Sequence, residues 1–258
     1  MKAIIFNSGM GSRMGTLTKT KPKCMIELYN GETILERQIR ILSSCGINEF
    51  IITTGPYKEK LVDISKKYNN LKFTFVENSQ YKNTNYIVSM NNCYNLLDGE
   101  ILLLHGDLVF SKNLIRKIMS NKNKSVCLYN EMKVLPQKDF KARFCNNILK
   151  QVSISIFDKD CYAFQPLYKL SKEDLYVWKN KVKEFVEKGQ INVYAENALN
   201  EITDEISITG MSYKDDYIDE IDTQEDYNRV SNEIRYYDYR EESIETEDLY
   251  IEISKKNG

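Results

Sequence analysis

The chain has 258 residues, enough for one sizeable α/β domain to bury a core without help from disulfides or a structural metal. Its 36 basic and 37 acidic side chains leave a formal net charge of −1, which gives neither nucleic acid nor an anionic membrane an electrostatic reason to bind. Cys24, Cys45, Cys93, Cys127, Cys145 and Cys161 stand far apart with no C-x-x-C pair, and His105 is the only histidine, so no zinc site is expected.

Met1 leads straight into Lys2-Ala3-Ile4-Ile5-Phe6, without the charged start, long apolar stretch and cleavage site of a secretory leader. No run of about 18 apolar residues follows, so a cytoplasmic chain with reduced thiols is expected. Short apolar runs predict strands over Lys2–Phe6, Cys24–Leu28, Phe50–Thr53, Leu71–Val76 and Glu100–Leu104. Between them, Ile34, Leu35, Gln38, Ile41 and Leu42 recur at helical spacing, with Thr33 or Glu32 near the cap and Gly46 as the stop. Tyr57–Tyr68 and Asn85–Leu97 read the same way. This alternation predicts an α/β fold with a doubly wound, mainly parallel, Rossmann-like sheet.

From Lys124 onward the pattern changes. Val126–Tyr129, Gln151–Phe157 and Cys161–Phe164 predict a small antiparallel insert, and Leu175, Trp178, Val182 and Phe185 line one face of a helix over 171–188. Another helix starts near Thr223, where Asp222 or Thr223 caps it and Glu225 and Asp226 suit its first turn. The reading is one domain over 1–238: a nucleotide-binding core (1–120), an acceptor-side insert (121–210), and an acidic motif with its helix (211–238). The acidic tail, 239–258, with Leu249, Ile251 and Ile253 alternating, reads as an edge strand or as disorder.

The chemistry begins where the first strand ends, at Asn7-Ser8-Gly9-Met10-Gly11-Ser12-Arg13. Two glycines let backbone amides approach a phosphate chain, and Arg13 adds a forked cation for its outer phosphates. Lys21-Pro22-Lys23 follows, with the proline restricting the backbone so that Lys23 can aim its ammonium into the same site. His105-Gly106-Asp107 closes the apolar Ile101-Leu102-Leu103-Leu104, which puts the Asp107 carboxylate at the crevice where parallel sheets bind ligands. His105 itself reads as a packing or hydrogen-bonding residue without a chemical role. Asp219, Glu220 and Asp222 supply further oxygen ligands, and carboxylates together with phosphate oxygens suit Mg²⁺. A dehydrogenase reading fails because Met14 occupies the third-glycine position of G-x-G-x-x-G.

Gly9-x-Gly11-x-Arg13 followed by Lys21-Pro22-Lys23 resembles the signature of the sugar-nucleotide pyrophosphorylase and cytidylyltransferase superfamily. The resemblance implies a GT-A-like nucleotidyltransferase fold and a soluble enzyme that places a nucleoside monophosphate on a phosphorylated acceptor. It makes Lys23 the catalytic cation and Arg13 a pyrophosphate clamp. Asp107 resembles the family's metal-binding aspartate, and the late E-I-D motif at Glu220-Ile221-Asp222 assigns the second Mg²⁺ ligand to Asp222. Asn7-Ser8-Gly9 replaces the common Ala-Ala-Gly, a change that bears on base recognition.

The Gly55 and Asn85 regions look more like CTP:phosphocholine cytidylyltransferases than glucose-1-phosphate enzymes, the best match being Asn83-Thr84-Asn85 with Ser89-Met90. The nucleotide-binding set implied is therefore Asn7, Ser8, Gly9, Gly11, Ser12, Arg13, Lys23, Gly55 and Asn85, with CTP as donor. The segments around Tyr168 and Tyr194-Ala195-Glu196 are similar to the branch with capsule-modifying CTP:phosphoglutamine cytidylyltransferases. Tyr194 and Glu196, with the Tyr168 ring, can receive an ammonium through ring face and charge; equally, Tyr194–Leu199 can be a capped helix covering the insert. Two other readings stay open: a sugar-1-phosphate nucleotidylyltransferase, and a nucleotide-sensing domain without turnover.

Overall fold

A computed structural model describes residues 1–256, with side chains through Ser243. In chain order the elements are β1 (Lys2–Asn7), α1 (Ile34–Ser44), β2 (Glu49–Thr54), α2 (Lys58–Ser65), β3 (Lys72–Glu77), α3 (Tyr86–Asn92), β4 (Ile101–His105), β5 (Leu108–Phe110) and α4 (Lys112–Ser120). Then follow β6 (Val126–Asn130), β7 (Lys141–Cys145), β8 (Ile148–Ser153), β9 (Cys161–Leu170), α5 (Lys172–Glu187), α6 (Ala195–Asn200), β10 (Thr209–Ser212), β11 (Ile218–Glu220) and α7 (Gln224–Lys256).

Strands β3-β2-β1-β4 run parallel, in the order expected of a doubly wound core. Alternate residues feed opposite faces. Ile4, Phe6 and Leu103 pack with α3, α5 and α6, whereas Ala3, Ile5, Leu102 and Leu104 pack with α1, α2 and α4. Beyond β4 the sheet is mixed rather than mainly parallel: β9 joins antiparallel, then β6, β10, β8 and β7 follow, and β7 returns to β9. Five strands thus close a ring that leaves fewer open edges. β5 and β11 form a separate antiparallel pair.

The strand expected at Cys24–Leu28 does not form. Both edges of β1 are taken, by β2 and β4, so that segment makes a 3-10 turn at Lys23–Met25 and one bridge from Glu27 to Thr33. Its apolar side chains are buried nonetheless, Ile26 and Leu28 against Val230 and Ile234 of α7. The strand read over Gln151–Phe157 starts and ends earlier, as β8, and the β7–β8 hairpin turns through Asn146 and Asn147, both with positive φ (49 and 61), the pairing a tight hairpin needs. α3 stops at Asn92, short of Leu97.

The acidic tail is neither strand nor disorder: α7 passes position 238 unbroken and reaches Lys256, while 257–258 lie outside the described residues. Its early part is anchored. The Arg37 guanidinium, 1% exposed, donates to both Asp238 oxygens (2.8 and 2.7 Å) and to the Phe110 carbonyl. Glu241 accepts from the Lys112 and Asn113 amides (3.3 and 2.7 Å), capping α4 from outside. Among the described residues no helix is long and apolar enough to cross a membrane.

Candidate active site

The site lies at the carboxyl ends of β1 and β4, where Asn7 and His105 hand over to loops. After Asn7 the chain bends through Gly11, whose φ of 64 is left-handed, into a 3-10 turn over Ser12–Thr18. Thr18 Oγ1 donates to the Gly11 carbonyl at 2.8 Å and fixes the loop. Two adjoining cavities open here, of about 350 and 300 Å³, sharing Phe6, Gly9, Asn85, Tyr86, His105 and Asp107 on their walls.

The larger cavity brings together Gly9, Gly11, Ser12, Arg13, Lys23, Asp107 and Asp222, as the sequence reading placed them. Lys23 Nζ donates to Asp107 Oδ2 at 2.7 Å and to Asp222 Oδ1, and Arg13 Nη2 is 2.7 Å from Asp222 Oδ2. Burial works against the Lys23 ammonium, but the charges and hydrogen bonds of Asp107 and Asp222 outweigh it and hold its pKa above the usual lysine value. Burial likewise would raise Asp107, yet Lys23 and His105 bring that carboxyl below its normal range.

Asp139 and Glu220 complete the acidic wall, and neither was in the expected ligand pair. Oxygens of Asp139, Glu220 and Asp222 lie within 4.8 Å of one another. Glu220 is pushed well above the carboxylate range by burial and by Asp107, Asp139 and Asp222; Asp139 is raised by burial and by Asp222, Asp219 and Asp226. Asp107 Oδ1 is buried without a hydrogen-bond partner. An orphaned carboxylate oxygen beside three crowded carboxylates is a donor set that fits a hard divalent ion such as Mg²⁺. Sequence gave no signal for Asp139, which sits in the irregular, lysine-containing 131–140 loop far from any glycine motif.

The smaller cavity is lined by Ser8, Asn78, Tyr81, Thr84 and Ser89 besides the shared wall. Asn78 Nδ2 donates to Thr84 Oγ1 and Ser89 Oγ (3.1 Å each), and Ser89 Oγ donates to Ser8 Oγ at 3.0 Å. Asn78 was not singled out, although it follows β3 directly. Asn7 and Asn85 line the larger cavity as expected, Asn85 also capping α3 through its side-chain oxygen on the Tyr86 amide (2.7 Å). Gly55 lines neither cavity. A Cβ there would lie 2.2 Å from the Ser8 carbonyl oxygen, so this glycine serves close backbone approach between two loops.

The acceptor-side residues divide. Tyr194 lines the larger cavity, but Tyr168 and Glu196 are 0% and 1% exposed and do not. Tyr168 stands on β9 between Leu103 and Cys127, deep in the sheet, and Glu196 faces inward from the first turn of α6. Glu196 accepts from Tyr168 Oη at 2.9 Å and from Tyr86 Oη. Tyr86, not Glu196, is therefore the group presented to the cavity. His105, read as a packing or hydrogen-bonding residue without a chemical role, walls both cavities, and its Nε2 is buried without a partner. Tyr86, His105, Phe140 and Tyr194 make a chain of ring contacts, with centroids 4.6 Å (Tyr86–His105), 6.5 Å (His105–Phe140), 5.0 Å (Phe140–Tyr194) and 6.3 Å (Tyr194–Tyr86) apart.

A glycine loop, two cations and facing carboxylates at the mouth of an α/β sheet define a nucleotide-handling fold of the transferase kind. Residues 3–141 match the MobA-like NTP transferase domain, and the chain belongs to that family. It is 31% identical over 128 residues to the CTP:phosphoglutamine cytidylyltransferase of Campylobacter jejuni, covering 47% of this chain and 49% of that protein. Over 110 residues it is 34% identical to the 2-aminoethylphosphonate cytidylyltransferase of Lancefieldella rimae, covering 42% and 44%. The matched stretch thus spans about half the length of either relative. In fold it is similar to the CTP:phosphocholine cytidylyltransferase of Streptococcus pneumoniae, with a TM-score of 0.76 at 21% identity over 90% of this chain and 98% of that one.

Proposed function

We propose that the chain transfers CMP from CTP to the phosphate or phosphonate of a small amine or amino acid, releasing pyrophosphate. The observation that carries this reading is the convergence, on one cavity, of the Gly9–Arg13 loop, Lys23 and four carboxylates with a wall of aromatic rings. The relatives named above, which act with CTP on phosphoglutamine and aminoethylphosphonate, support the donor and the acceptor class.

In this reading the nucleoside enters the smaller cavity, against Ser8, Asn78 and Ser89, and the phosphates lie along Gly9–Arg13. An acceptor oxygen, ionised at neutral pH, attacks the α-phosphorus; the bond to the β-phosphate oxygen breaks, and pyrophosphate leaves with its electron pair. No covalent enzyme intermediate is needed. Lys23 and Arg13 neutralise charge as it grows, so catalysis rests on positioning and electrostatics. Asp107 and Asp222, with Asp139 and Glu220 beside them, would hold Mg²⁺, which supplies charge neutralisation on the phosphate oxygens. The rings of Tyr86, Phe140 and Tyr194 offer faces to an ammonium, worth about 0.5–2 kcal/mol. Glu196 adds negative potential from behind Tyr86 without touching the acceptor.

The test is to incubate the protein and Mg²⁺ with each NTP and with phosphocholine, phosphoglutamine, 2-aminoethylphosphonate or glucose-1-phosphate, following pyrophosphate and product mass. CTP with one of the amines should give a CDP-linked or CMP-linked product. Turnover of glucose-1-phosphate with UTP or dTTP, and none of any amine, would replace this reading with a sugar nucleotidylyltransferase.

A further inference from the structure

Lys141 opens β7 with its side chain 0% exposed. Its ammonium is bound by two carbonyls, Pro136 O at 2.8 Å and Ile154 O at 2.5 Å, and lies 4.0 Å from the centre of the Phe157 ring. Among the described residues no carboxylate forms an ion pair with it. An ammonium out of water is costly unless hydrogen-bonded, and the next residue of the strand, Ala142, is an ordinary core position. An apolar side chain would serve the strand as well; what the ammonium adds is a link between two loops.

Those loops line the same cavity as the Gly9–Arg13 loop. The segment 131–140 contains no helix or strand, and its Met132 and Val134 are 77% and 92% exposed. It nevertheless delivers Lys138, Asp139 and Phe140 to the larger cavity, and the segment after β8 delivers Ile154. The ends of 131–140 are fixed by Glu131 on Ser212, Lys133 on Asp219 and Phe140 in the core, whereas between them, over 134–139, the Pro136 carbonyl on Lys141 is the one hydrogen-bonded tie among the described residues.

We infer that Lys141 is a positioning residue for the acceptor side of the site: by joining Pro136 to Ile154 it holds Lys138 and Asp139 against the cavity. Its effect on acceptor binding rests on the cytidylyltransferase reading; its effect on the loops does not. A displacement of about 1 Å at such a wall costs up to on the order of a hundredfold in rate, so loss of the tie is measurable.

The experiment compares wild type, Lys141→Met and Lys141→Arg by amide hydrogen exchange without ligand, and by the KM for whichever acceptor wild type uses and the Mg²⁺ dependence of the rate. Lys141→Met should speed exchange about tenfold or more in 131–140 and 154–157 while leaving β1 and β4 protected. It should raise the acceptor KM about tenfold and, because Asp139 beside the carboxylates moves with the loop, also raise the Mg²⁺ concentration needed for half-maximal rate; Lys141→Arg should recover part of each. Wild-type exchange in both loops of folded Lys141→Met would overturn the inference, as would an unchanged acceptor KM. Should Lys141→Met not fold, Lys141→Gln, which keeps a polar end too short to reach both carbonyls, should speed exchange in at least one of the two loops, and wild-type exchange in both would be equally fatal. If wild type transfers no CMP, the proposed function falls, while the exchange comparison still decides the role of Lys141.

Discussion

Lys23 pairs with Asp107 and Asp222, and under the proposed function it would also meet the triphosphate. Lys23→Ala should keep the fold and lose turnover by a few hundredfold, on the order of 3–4 kcal/mol of transition-state stabilisation; near-normal kcat in a variant with a native circular dichroism spectrum would remove Lys23 from the chemistry. Asp107→Asn and Asp222→Asn should each raise the Mg²⁺ concentration needed for half-maximal rate, with non-additive effects in the double variant because both face one set of groups. Additive, Mg²⁺-independent losses would mean a different pair of ligands. The residues legible in the sequence were those whose signal is local: glycines that permit a phosphate loop, a proline that sets Lys23, and an aspartate ending a buried strand. Asp139, Tyr86 and Phe140 reach the cavity through tertiary path alone. The same limit misplaced Glu196 and Tyr168, whose aromatic and acidic character suited a binding wall but whose hydrogen bonds to each other put them behind it.

At the scale of elements, local rules served the helices best. Thr33 and Glu36 form the reciprocal cap of α1: Thr33 Oγ1 accepts from the Glu36 amide at 3.2 Å, and the Glu36 carboxylate accepts from the Thr33 amide at 2.9 Å. Thr33→Ala should cost about 1 kcal/mol in urea unfolding. Burial alone would raise the Glu36 pKa, but hydrogen bonds from Lys67 and Thr33 outweigh it and hold the carboxyl below its usual range. A depressed folded pKa means stability that is present above the unfolded value of about 4.3 and lost as pH falls through the folded one. The stability gap between wild type and Glu36→Gln should accordingly be larger at pH 7 than at about pH 3, and a pH-independent gap would contradict that sign. Strands were harder. Cys24–Leu28 has strand-like residues and no free edge to join, while β7 carries the buried Lys141 and so breaks the alternation that would have announced it. The tail failed for a related reason: its helix is held by Arg37 and by the α4 amides, partners some 200 and 130 residues away in sequence. Asp238→Asn leaves that guanidinium buried without its carboxylate and should destabilise the fold by about 3–5 kcal/mol, seen as a lower melting temperature.

The whole molecule joins two halves with different logic. The parallel strands β3-β2-β1-β4 end in the Gly9–Arg13 loop and Asp107, and their βα alternation made that half readable. The ring of β9, β6, β10, β8 and β7 carries the 131–140 loop, and the long β11–α7 arm brings Glu220 and Asp222 back to the first half. Non-local antiparallel pairing of this kind has no short-range signature, which is why only an antiparallel insert, and not its closure, could be read from the sequence. The cavity between these halves is lined by the Gly9–Arg13 loop and by aromatic rings, and the central claim of the proposed function is that an acceptor phosphate near the rings attacks the CTP α-phosphorus directly. Exchange of labelled pyrophosphate into CTP without acceptor tests this. Direct attack predicts no exchange above the level without protein and pyrophosphate release only when acceptor is present; exchange without acceptor, or CTP cleavage at the same rate without it, would contradict the account.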